Sequence, residues 1–371
     1  MNEPKLGQRE LEYVTECIET GWISSAGRFI EEFEAGWAAY CGRRHGVAMS
    51  NGSTALQAAV SALDLEPGDE VILPTFTIVS CATPVISAGA VPVLVDSDPV
   101  TWTMDVTELE SRISPRTRAI MPVHIYGHPV DMDPVLELAE RRGIAILEDA
   151  AEAHGAEYRS HDGEWRRCGS FGAMSTFSFY ANKLLTTGEG GMVVTDDEAL
   201  AERLRSIRNL GFNSRRRFHH EELGFNFRLT NIQAALGVAQ LERMDEIVQR
   251  KREVAALYSA ALAGVDGLTL PPEEPWARSV FWMYGVVLDE ATGLDAAAFA
   301  GRLLELGVDT RPFFLGMHEQ PALHRLGLFE GERYPVAERL ARQGLYLPSG
   351  LALTDEQVAT VSAAVREALG A

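Results

Sequence analysis

Lys183 lies in the stretch FSFYANKLLTTGEGG (177–191), where its neighbours are small, aromatic or aliphatic and a glycine-rich turn follows. A lysine that is partly desolvated has a lowered pKa, and its neutral amine is a nucleophile. The alternative is a surface lysine, which is the commonest fate of this residue type. Because the stretch after Lys183 is apolar and rich in glycine, we interpret Lys183 as a chemically active residue.

A second group of residues has the types needed to hold a phosphate. In SNGSTAL (50–56), Gly52, Ser53 and Thr54 follow a predicted strand and open a predicted helix. Gly52 lets the backbone approach a ligand closely, while the first amides and the two hydroxyls supply donors at the positive end of the helix. An ordinary Ser/Thr N-cap explains the same residues, so this stretch alone leaves both interpretations open.

Two further stretches carry candidate polar residues. Asp149 ends an apolar strand in AILEDAAEAHG (145–155), where its carboxylate could pair with a protonated ring nitrogen; a helix N-cap is the alternative. Asn226 and Arg228 alternate with phenylalanines in GFNFRLTN (224–231), which is also the pattern of an edge strand with its polar residues facing outward.

Taken together, these residues match what pyridoxal 5′-phosphate requires from a protein: a lysine for its aldehyde, an acid for its ring nitrogen and a cradle for its phosphate. They also occur in the order cradle, Asp149, Ser178, Lys183. No metal site is predicted, because no two of the four cysteines have the CxxC spacing of a metal or redox pair.

An α/β fold must position these residues. Short runs that are apolar on both faces alternate with helix-like segments, which indicates a mixed, mostly parallel sheet covered on both sides. The predicted strands are 46–50, 70–74, 91–96, 118–123, 144–149, 174–179 and 191–195. Capped helices are predicted to begin after Thr230 and Thr354, and a strand is predicted at 280–288. We expect a large domain over residues 1–250, with an N-terminal helix, and a small C-terminal α+β domain over 251–371.

The 371-residue chain has a formal net charge of −20, and 46% of its residues are hydrophobic, as in globular proteins. A negative field of that size repels nucleic acid and anionic membranes, so neither is an expected partner. The N-terminus lacks the apolar core of a signal peptide. Since the cysteines are interpreted as reduced thiols, the expected location is the cytoplasm.

The motifs NGSTAL, GDEVILPTFT, GAVPVLVD, EDAAEAHGA, TTGEGGMVVT and GFNFRLTNIQAA resemble those of the sugar aminotransferases of the DegT/DnrJ/EryC1/StrS family. The resemblance runs nearly end to end, from 21–34 to 311–323. It implies fold type I of the pyridoxal phosphate enzymes, the architecture of aspartate aminotransferase, with a mostly parallel seven-stranded sheet. GWISSAGRFI, DPVTWTMDV and HIYGHPVDMD are most similar to members that move an amino group from L-glutamate to C4 of GDP-4-keto-6-deoxy-D-mannose.

The resemblance implies cofactor roles residue by residue. Lys183 would bond to the aldehyde of the cofactor, Asp149 would pair with its ring nitrogen, and Glu152 would lie near its 3-hydroxyl group. The residues implied to surround the phosphate are Gly52, Ser53, Thr54, Ser178 and Asn226. Asn226 would come from the partner subunit, which implies a homodimer with shared active sites.

Substrate-side residues are implied in the same way. They are Trp22, Ser24 and Ser25 in the nucleotide-sugar cleft, with Arg311 and His318 as further candidates. The stretch RNLGFNSRRRFHH (208–220) is the richest in basic residues and a candidate for the nucleotide phosphates, although a solvated loop explains it as well. One position departs from the family: many relatives carry a ring-stacking aromatic residue where Ile78 stands here, so the stacking residue is left unassigned.

Three alternatives remain at this point. Transfer to another keto sugar (at C3, or dTDP- or UDP-linked) or to a cyclitol ketone would use the same catalytic core. A sugar dehydratase of the family would carry histidine in place of Lys183. A regulatory or sensor protein that holds the cofactor without turnover would be expected to carry a basic DNA-binding segment, and the sequence has no evident one.

Overall fold

In a computed structural model of the chain, the structure describes residues 3–212, 218–220 and 222–370. Within these residues the strands, in chain order, are β1 His45–Met49, β2 Glu70–Pro74, β3 Val91–Val95, β4 Thr117–Ile120, β5 Ala145–Asp149, β6 Glu157–Arg159, β7 Trp165–Arg167, β8 Met174–Ser178, β9 Gly191–Thr195, β10 Leu268–Thr269, β11 Ala277–Arg278, β12 Tyr284–Leu288, β13 Arg311–Pro312 and β14 Gly344–Leu347.

The α-helices of the same residues alternate with these strands through much of the chain. They are α1 Gln8–Thr20, α2 Arg28–Tyr40, α3 Gly52–Ala62, α4 Ala82–Ser87, α5 Leu109–Arg112, α6 Met132–Arg142, α7 Glu198–Arg208, α8 Asn231–Leu241, α9 Met244–Leu262, α10 Ala296–Glu305, α11 Pro321–His324, α12 Pro335–Gln343 and α13 Asp355–Leu369.

The main sheet has seven strands in the order β1-β9-β8-β5-β4-β2-β3. Strand β9 pairs antiparallel with both β1 and β8, while the remaining pairs are parallel. The prediction of a mostly parallel seven-stranded sheet is confirmed. The strands are nearly continuous runs of buried residues, as in sheets covered on both faces, and α2, α3 and α7 pack against them.

The carboxyl ends of the parallel strands meet at one edge of this sheet. Strand β4 ends at Ile120, three residues before the predicted end, but Val123 still forms a bridge with Asp149. This bridge brings the segment after β4 beside the last residue of β5. The segments that follow β1, β2, β4, β5 and β8 therefore converge, and ligands of open α/β sheets bind at such an edge.

A second apolar core lies around the antiparallel sheet β10-β12-β14-β13 and includes residues of α9, α10 and α13. This is the arrangement expected of a small α+β unit. The boundary predicted at residue 250 falls inside α9, a continuous helix whose Val254 and Tyr258 belong to the second core.

The strand predicted at 280–288 is too long, since β12 begins only at Tyr284. The preceding residues pair elsewhere: the N–H of Val280 donates to the carbonyl of Gly127, and that of Trp282 to the carbonyl of Tyr126. This part of the chain is thereby attached to the edge of the main sheet.

The capping predictions hold for both helices. Thr230 accepts a hydrogen bond from the Gln233 amide at the start of α8, and Thr354 accepts one from the Gln357 amide at the start of α13. None of the helices formed by the described residues combines the length and the hydropathy needed to cross a bilayer.

Candidate active site

The side chain of Lys183 is buried in the loop between β8 and β9, with only 10% of it exposed. Its Nζ lies 3.5 Å from Oε1 of Glu152 and 3.5 Å from the ring centroid of Trp282. Burial lowers the pKa of the amine, while the carboxylates of Glu152 and Asp149 act in the opposite direction. The surface-lysine alternative is therefore wrong, and the lysine has the environment of a nucleophile.

Asp149 is the last residue of β5 and is buried. Its Oδ1 accepts a hydrogen bond from the Ala151 amide at 3.0 Å, and its Oδ2 accepts one from Sγ of Cys81 at 3.2 Å. No helix begins among the described residues that directly follow Asp149, so the N-cap interpretation fails. Burial raises the pKa of the carboxyl group, which makes a nearby cation a favourable partner.

The carboxylate of Glu152 is held by a backbone amide in the segment that follows β4. Its Oε2 accepts a hydrogen bond from the Tyr126 amide at 2.8 Å, and its pKa is raised by burial. Tyr126 has φ 53° and ψ 19°, a left-handed conformation that is unfavourable for a large side chain. Such strain is held by surrounding contacts and is found at functional sites.

The stretch around α3 is both a helix cap and a cradle. The Asn51 side chain accepts from the Thr54 amide at 2.9 Å, and the Thr54 hydroxyl accepts from the Asn51 amide at 3.1 Å. Asn51 thus caps the helix with Thr54 as its partner in the capping box, whereas Ser53 is exposed with its hydroxyl 3.1 Å from that of Ser80. The Ser/Thr N-cap interpretation is therefore wrong, since the cap is Asn51. Capping by Asn51 still leaves other first-turn amides available at the positive end of the helix.

Gly52 packs closely against the end of β8. A Cβ at this position would lie 2.7 Å from Cβ of Ser178, the last residue of β8. The N-terminus of α3 and the hydroxyls of Ser53 and Ser178 lie beside Gly52, and these donors fit a phosphate. Together with buried Lys183 and Asp149 at the same sheet edge, these donors fit pyridoxal phosphate.

Ile78 is 45% exposed at this edge, directly after the segment that extends β2. Cys81 follows three residues later and reaches Asp149. An aliphatic side chain over the ring position would supply apolar cover without the aromatic contact, which is worth about 0.5–1.5 kcal/mol.

Asn226, predicted to act from the partner subunit, is exposed and forms a bridge with Asn209. Its neighbour Phe227 accepts a hydrogen bond from the Ser50 amide at 2.8 Å, so the segment lies beside the end of β1. The role of Asn226 toward a cofactor stays a prediction.

The predicted substrate residues near the N-terminus form a second group. The carbonyls of Trp22 and Ser24 accept hydrogen bonds from Asn231, and Trp22 is 58% exposed. Ser25 borders an open cavity of about 1380 Å³, whose charged lining residues are four arginines and two glutamates: Arg203, Arg205, Arg208, Arg228, Glu202 and Glu222. Part of the basic stretch 208–220, residues 213–217, lies outside the described residues.

Arg311 and His318 have different surroundings. Arg311 is partly exposed, pairs with Asp309 at 2.9 Å and lies in β13, opposite Tyr346 of β14. His318 is buried, with Nδ1 at 2.8 Å from the Thr75 hydroxyl and Nε2 at 3.4 Å from Glu338. This geometry gives His318 a supporting position under the end of β2 rather than an open face toward a ligand.

Sequence reasoning did not find three residues that contact the predicted site. Trp282 was placed in a strand, Tyr126 carries no signal for its strained backbone, and Cys81 was read as an ordinary reduced thiol. His154 was also missed: it is buried, and its Nε2 lies 2.8 Å from the Ser178 carbonyl. Only the EDAAEAHGA motif, which contains His154, offered a signal.

One group among the described residues has the spacing of metal ligands, namely His124, Glu148 and Cys168. The oxygens of Glu148 accept hydrogen bonds from the Gly169 and Phe171 amides and from the Ser175 hydroxyl, and Oε1 lies 2.7 Å from Nε2 of His124. These bonds make the group a buried polar network beneath the site.

A buried lysine, an acid at a strand end and a phosphate cradle at one edge of a mostly parallel sheet are the features of a pyridoxal phosphate enzyme. The sequence pattern of the DegT/DnrJ/EryC1/StrS aminotransferase family matches residues 4–366. The chain is 45% identical to the GDP-perosamine synthase of Caulobacter vibrioides, over 99% of this chain and 97% of that protein. It is 38% identical to the GDP-perosamine synthase of Escherichia coli O157:H7, over 98% and 97% respectively.

Among solved structures, DesV of S. venezuelae is 39% identical and superimposes with a TM-score of 0.89, over 98% of this chain and 94% of that one. The chain therefore belongs to the DegT/DnrJ/EryC1/StrS aminotransferase family, whose members use pyridoxal phosphate.

Proposed function

We propose that this enzyme transfers the amino group of L-glutamate to C4 of GDP-4-keto-6-deoxy-D-mannose and so forms GDP-perosamine. The observation that carries the chemical part is the buried amine of Lys183 beside the carboxylate of Glu152. The choice of sugar nucleotide is supported by the identity to GDP-perosamine synthases along nearly the whole chain.

Pyridoxal phosphate, when bound, supplies a ring that withdraws electrons from the carbon losing its proton. In the proposed reaction Lys183 acts as general base and then as general acid. It removes a proton from the α-carbon of glutamate, and in the second half it returns a proton to the sugar carbon. Burial suits this alternation because it lowers the pKa of the amine and so eases the release of its proton.

Asp149 and the cradle orient the reacting groups in this proposal. The carboxylate of Asp149 is held by Ala151 and Cys81, so its charge stays at the end of β5 without rotation. Ser53 and Ser178 hold the phosphate end, and Glu152 holds the opposite edge of the site. The nucleotide phosphates, which need local cations in an acidic protein, would find them in the arginine-lined cavity beside Ser25.

We further propose a cytoplasmic homodimer in which Asn226 completes the partner's site. The predicted N-terminal helix is present as α1, and its Leu11 and Ile18 are more than 60% exposed. Trp22 and Phe225 are exposed as well. Apolar surface of this kind is typical of a face that another subunit covers.

The substrate proposal is tested by incubating the purified enzyme with glutamate and GDP-, dTDP- and UDP-linked 4-keto or 3-keto sugars. Mass spectrometry should show that the GDP-linked 4-keto-6-deoxymannose gains an amine, and that Lys183→Ala forms no product. Preferred amination of a dTDP- or UDP-linked sugar, or of C3, would contradict the assignment. Bound cofactor without any turnover would instead support the regulatory alternative.

The shared site is tested by mixing two variants that we expect to be inactive on their own, Lys183→Ala and Asn226→Ala. In a mixed dimer, one of the two sites receives both native residues, so random exchange should restore roughly a quarter of the wild-type activity. If each subunit holds a complete site of its own, mixing restores none.

A further inference from the structure

The ε-amino group of Lys183 lies between two groups from different parts of the chain. Its Nζ is 3.5 Å from Oε1 of Glu152 on one side and 3.5 Å from the ring centroid of Trp282 on another. Trp282 is 4% exposed. An ammonium group over an indole face is attracted by the ring quadrupole, and the attraction is stronger where water is excluded.

One backbone residue holds both partners in place. The amide of Tyr126 donates to Oε2 of Glu152, and the carbonyl of Tyr126 accepts from the amide of Trp282 at 3.0 Å. The left-handed conformation of Tyr126 directs these two groups at once. The carboxylate and the indole are therefore positioned together rather than independently.

A third contact fixes the indole ring itself. Its Nε1 donates a hydrogen bond of 2.8 Å to the carbonyl of Asn182, the residue before Lys183. Rotation of the ring away from the lysine would break this bond in a buried environment, which costs more than losing an exposed one. The ring is thus attached to the backbone of the same loop that carries the amine it covers.

We propose that Trp282 is a positioning residue for Lys183, whose ring face holds the ε-ammonium group whenever the amine is not bonded to the cofactor. The inference rests on the proposed role of Lys183 in proton transfer and does not depend on which sugar is aminated. When Lys183 takes a proton, a C–H bond breaks, an N–H bond forms, and the positive charge appears on Nζ. The indole face lies where that charge appears.

Several other groups act on the charge of Lys183. They are the carboxyl groups of Glu152 and Asp149, the thiol of Cys81 and the imidazole of His154. The carboxylates favour the ammonium form, while burial disfavours it. All of these groups remain when Trp282 is replaced, so a difference between wild type and variant reports the indole, through its ring face or through its hydrogen bond to Asn182.

The test uses the full-length chain freed of cofactor. The chain contains three lysines, Lys5, Lys183 and Lys251, so trace acetylation followed by mass spectrometry resolves each one. We expect the pH midpoint for acetylation of Lys183 to fall by about half a unit or more in Trp282→Leu, because a cation–π contact is lost. Trp282→Phe keeps a weaker ring face and should fall less.

The matched control is Trp165→Leu, which removes a second indole–cation contact, with Arg278 at 4.1 Å. It should leave the Lys183 midpoint unchanged. An unchanged or raised midpoint in Trp282→Leu would overturn the proposal. A shift in Trp282→Phe as large as that in Trp282→Leu would also overturn it, since the hydrogen bond to Asn182 rather than the ring face would then matter. Failure to aminate a GDP-linked sugar would leave the expected midpoint shift intact.

Discussion

At the scale of single residues, burial determines the chemistry of this site. It lowers the pKa of Lys183 and raises the pKa values of Asp149 and Glu152, so each group alone is pushed toward its neutral form. Their proximity opposes this effect, because an ammonium beside carboxylates favours the charged forms. A small change in one neighbour therefore changes the protonation of the others.

The contact between Cys81 and Asp149 gives a prediction at this scale. Cys81→Ala removes the thiol that donates to Oδ2 of Asp149, and a lost buried hydrogen bond costs about 0.5–1.5 kcal/mol. Cofactor affinity, measured by fluorescence titration, should fall by about 2- to 10-fold. Cys81→Ser, which keeps a donor, should retain most of the affinity. Equal affinities in all three proteins would show that the thiol does not orient Asp149.

At the residue scale, the sequence predicted those features of the site that depend on residue types and on their order along the chain. The burial of Lys183 and the strand-end position of Asp149 followed from local pattern. Cys81 and Asp149 are 68 residues apart, and nothing local in the sequence indicates that they meet. Trp282 was missed for the same reason: its place over Lys183 depends on a pairing with Tyr126 that forms only in the folded chain.

At the scale of elements, the site is built from the segments that leave the parallel strands. The predicted strands agree with the structure to within a few residues at each end because their apolar runs are short and separated by turn residues. The two that exceed the observed strands by more than one residue, 118–123 and 280–288, extend into the site. There the chain leaves regular pairing so that its backbone can hold Asp149, Glu152 and Lys183.

The start of α3 gives the prediction at the element scale. Gly52→Ala places a Cβ against Ser178, and overpacking of this kind costs about 1–3 kcal/mol. We expect the affinity for pyridoxal phosphate to fall by about tenfold or more. Gly301→Ala is the matched control, because its Cβ would meet nothing within 4 Å in α10. If Gly52→Ala binds the cofactor as tightly as Gly301→Ala does, the start of α3 is not the phosphate site.

At the scale of the whole molecule, α9 connects the main sheet to the second core. Lys251 is 2% exposed on this helix, and its Nζ donates to the carbonyl and to the hydroxyl of Ser349, the latter at 3.2 Å. Burial lowers the pKa of Lys251 to about 7. Lys251 thus joins α9 to the segment after β14. Its burial in the folded state disfavours the charged form of the amine.

Lys251 makes the stability of the whole chain depend on pH. Between about pH 7 and pH 10 the unfolded lysine binds a proton that the folded one does not, so this residue makes the free energy of unfolding rise with pH. Relative to Lys251→Met, the wild type should gain up to about 1.4 kcal/mol per pH unit in that window. Urea unfolding at several pH values measures the difference.

Lys5→Met is the control for that series, because Lys5 is exposed near the N-terminus. Its difference from wild type should not vary with pH between about pH 7 and pH 9. A difference between wild type and Lys251→Met that stays constant across the same range would show that Lys251 is protonated equally in both states.

The central claim is that Lys183 carries the cofactor, and the chain has two other lysines against which to test it. Borohydride reduction of the cofactor-bound enzyme, followed by digestion and mass spectrometry, identifies the modified lysine directly. The structure predicts that the cofactor-derived mass lies on the peptide containing Lys183. Its appearance on Lys251, which is also buried with a lowered pKa, or on Lys5, would contradict the account.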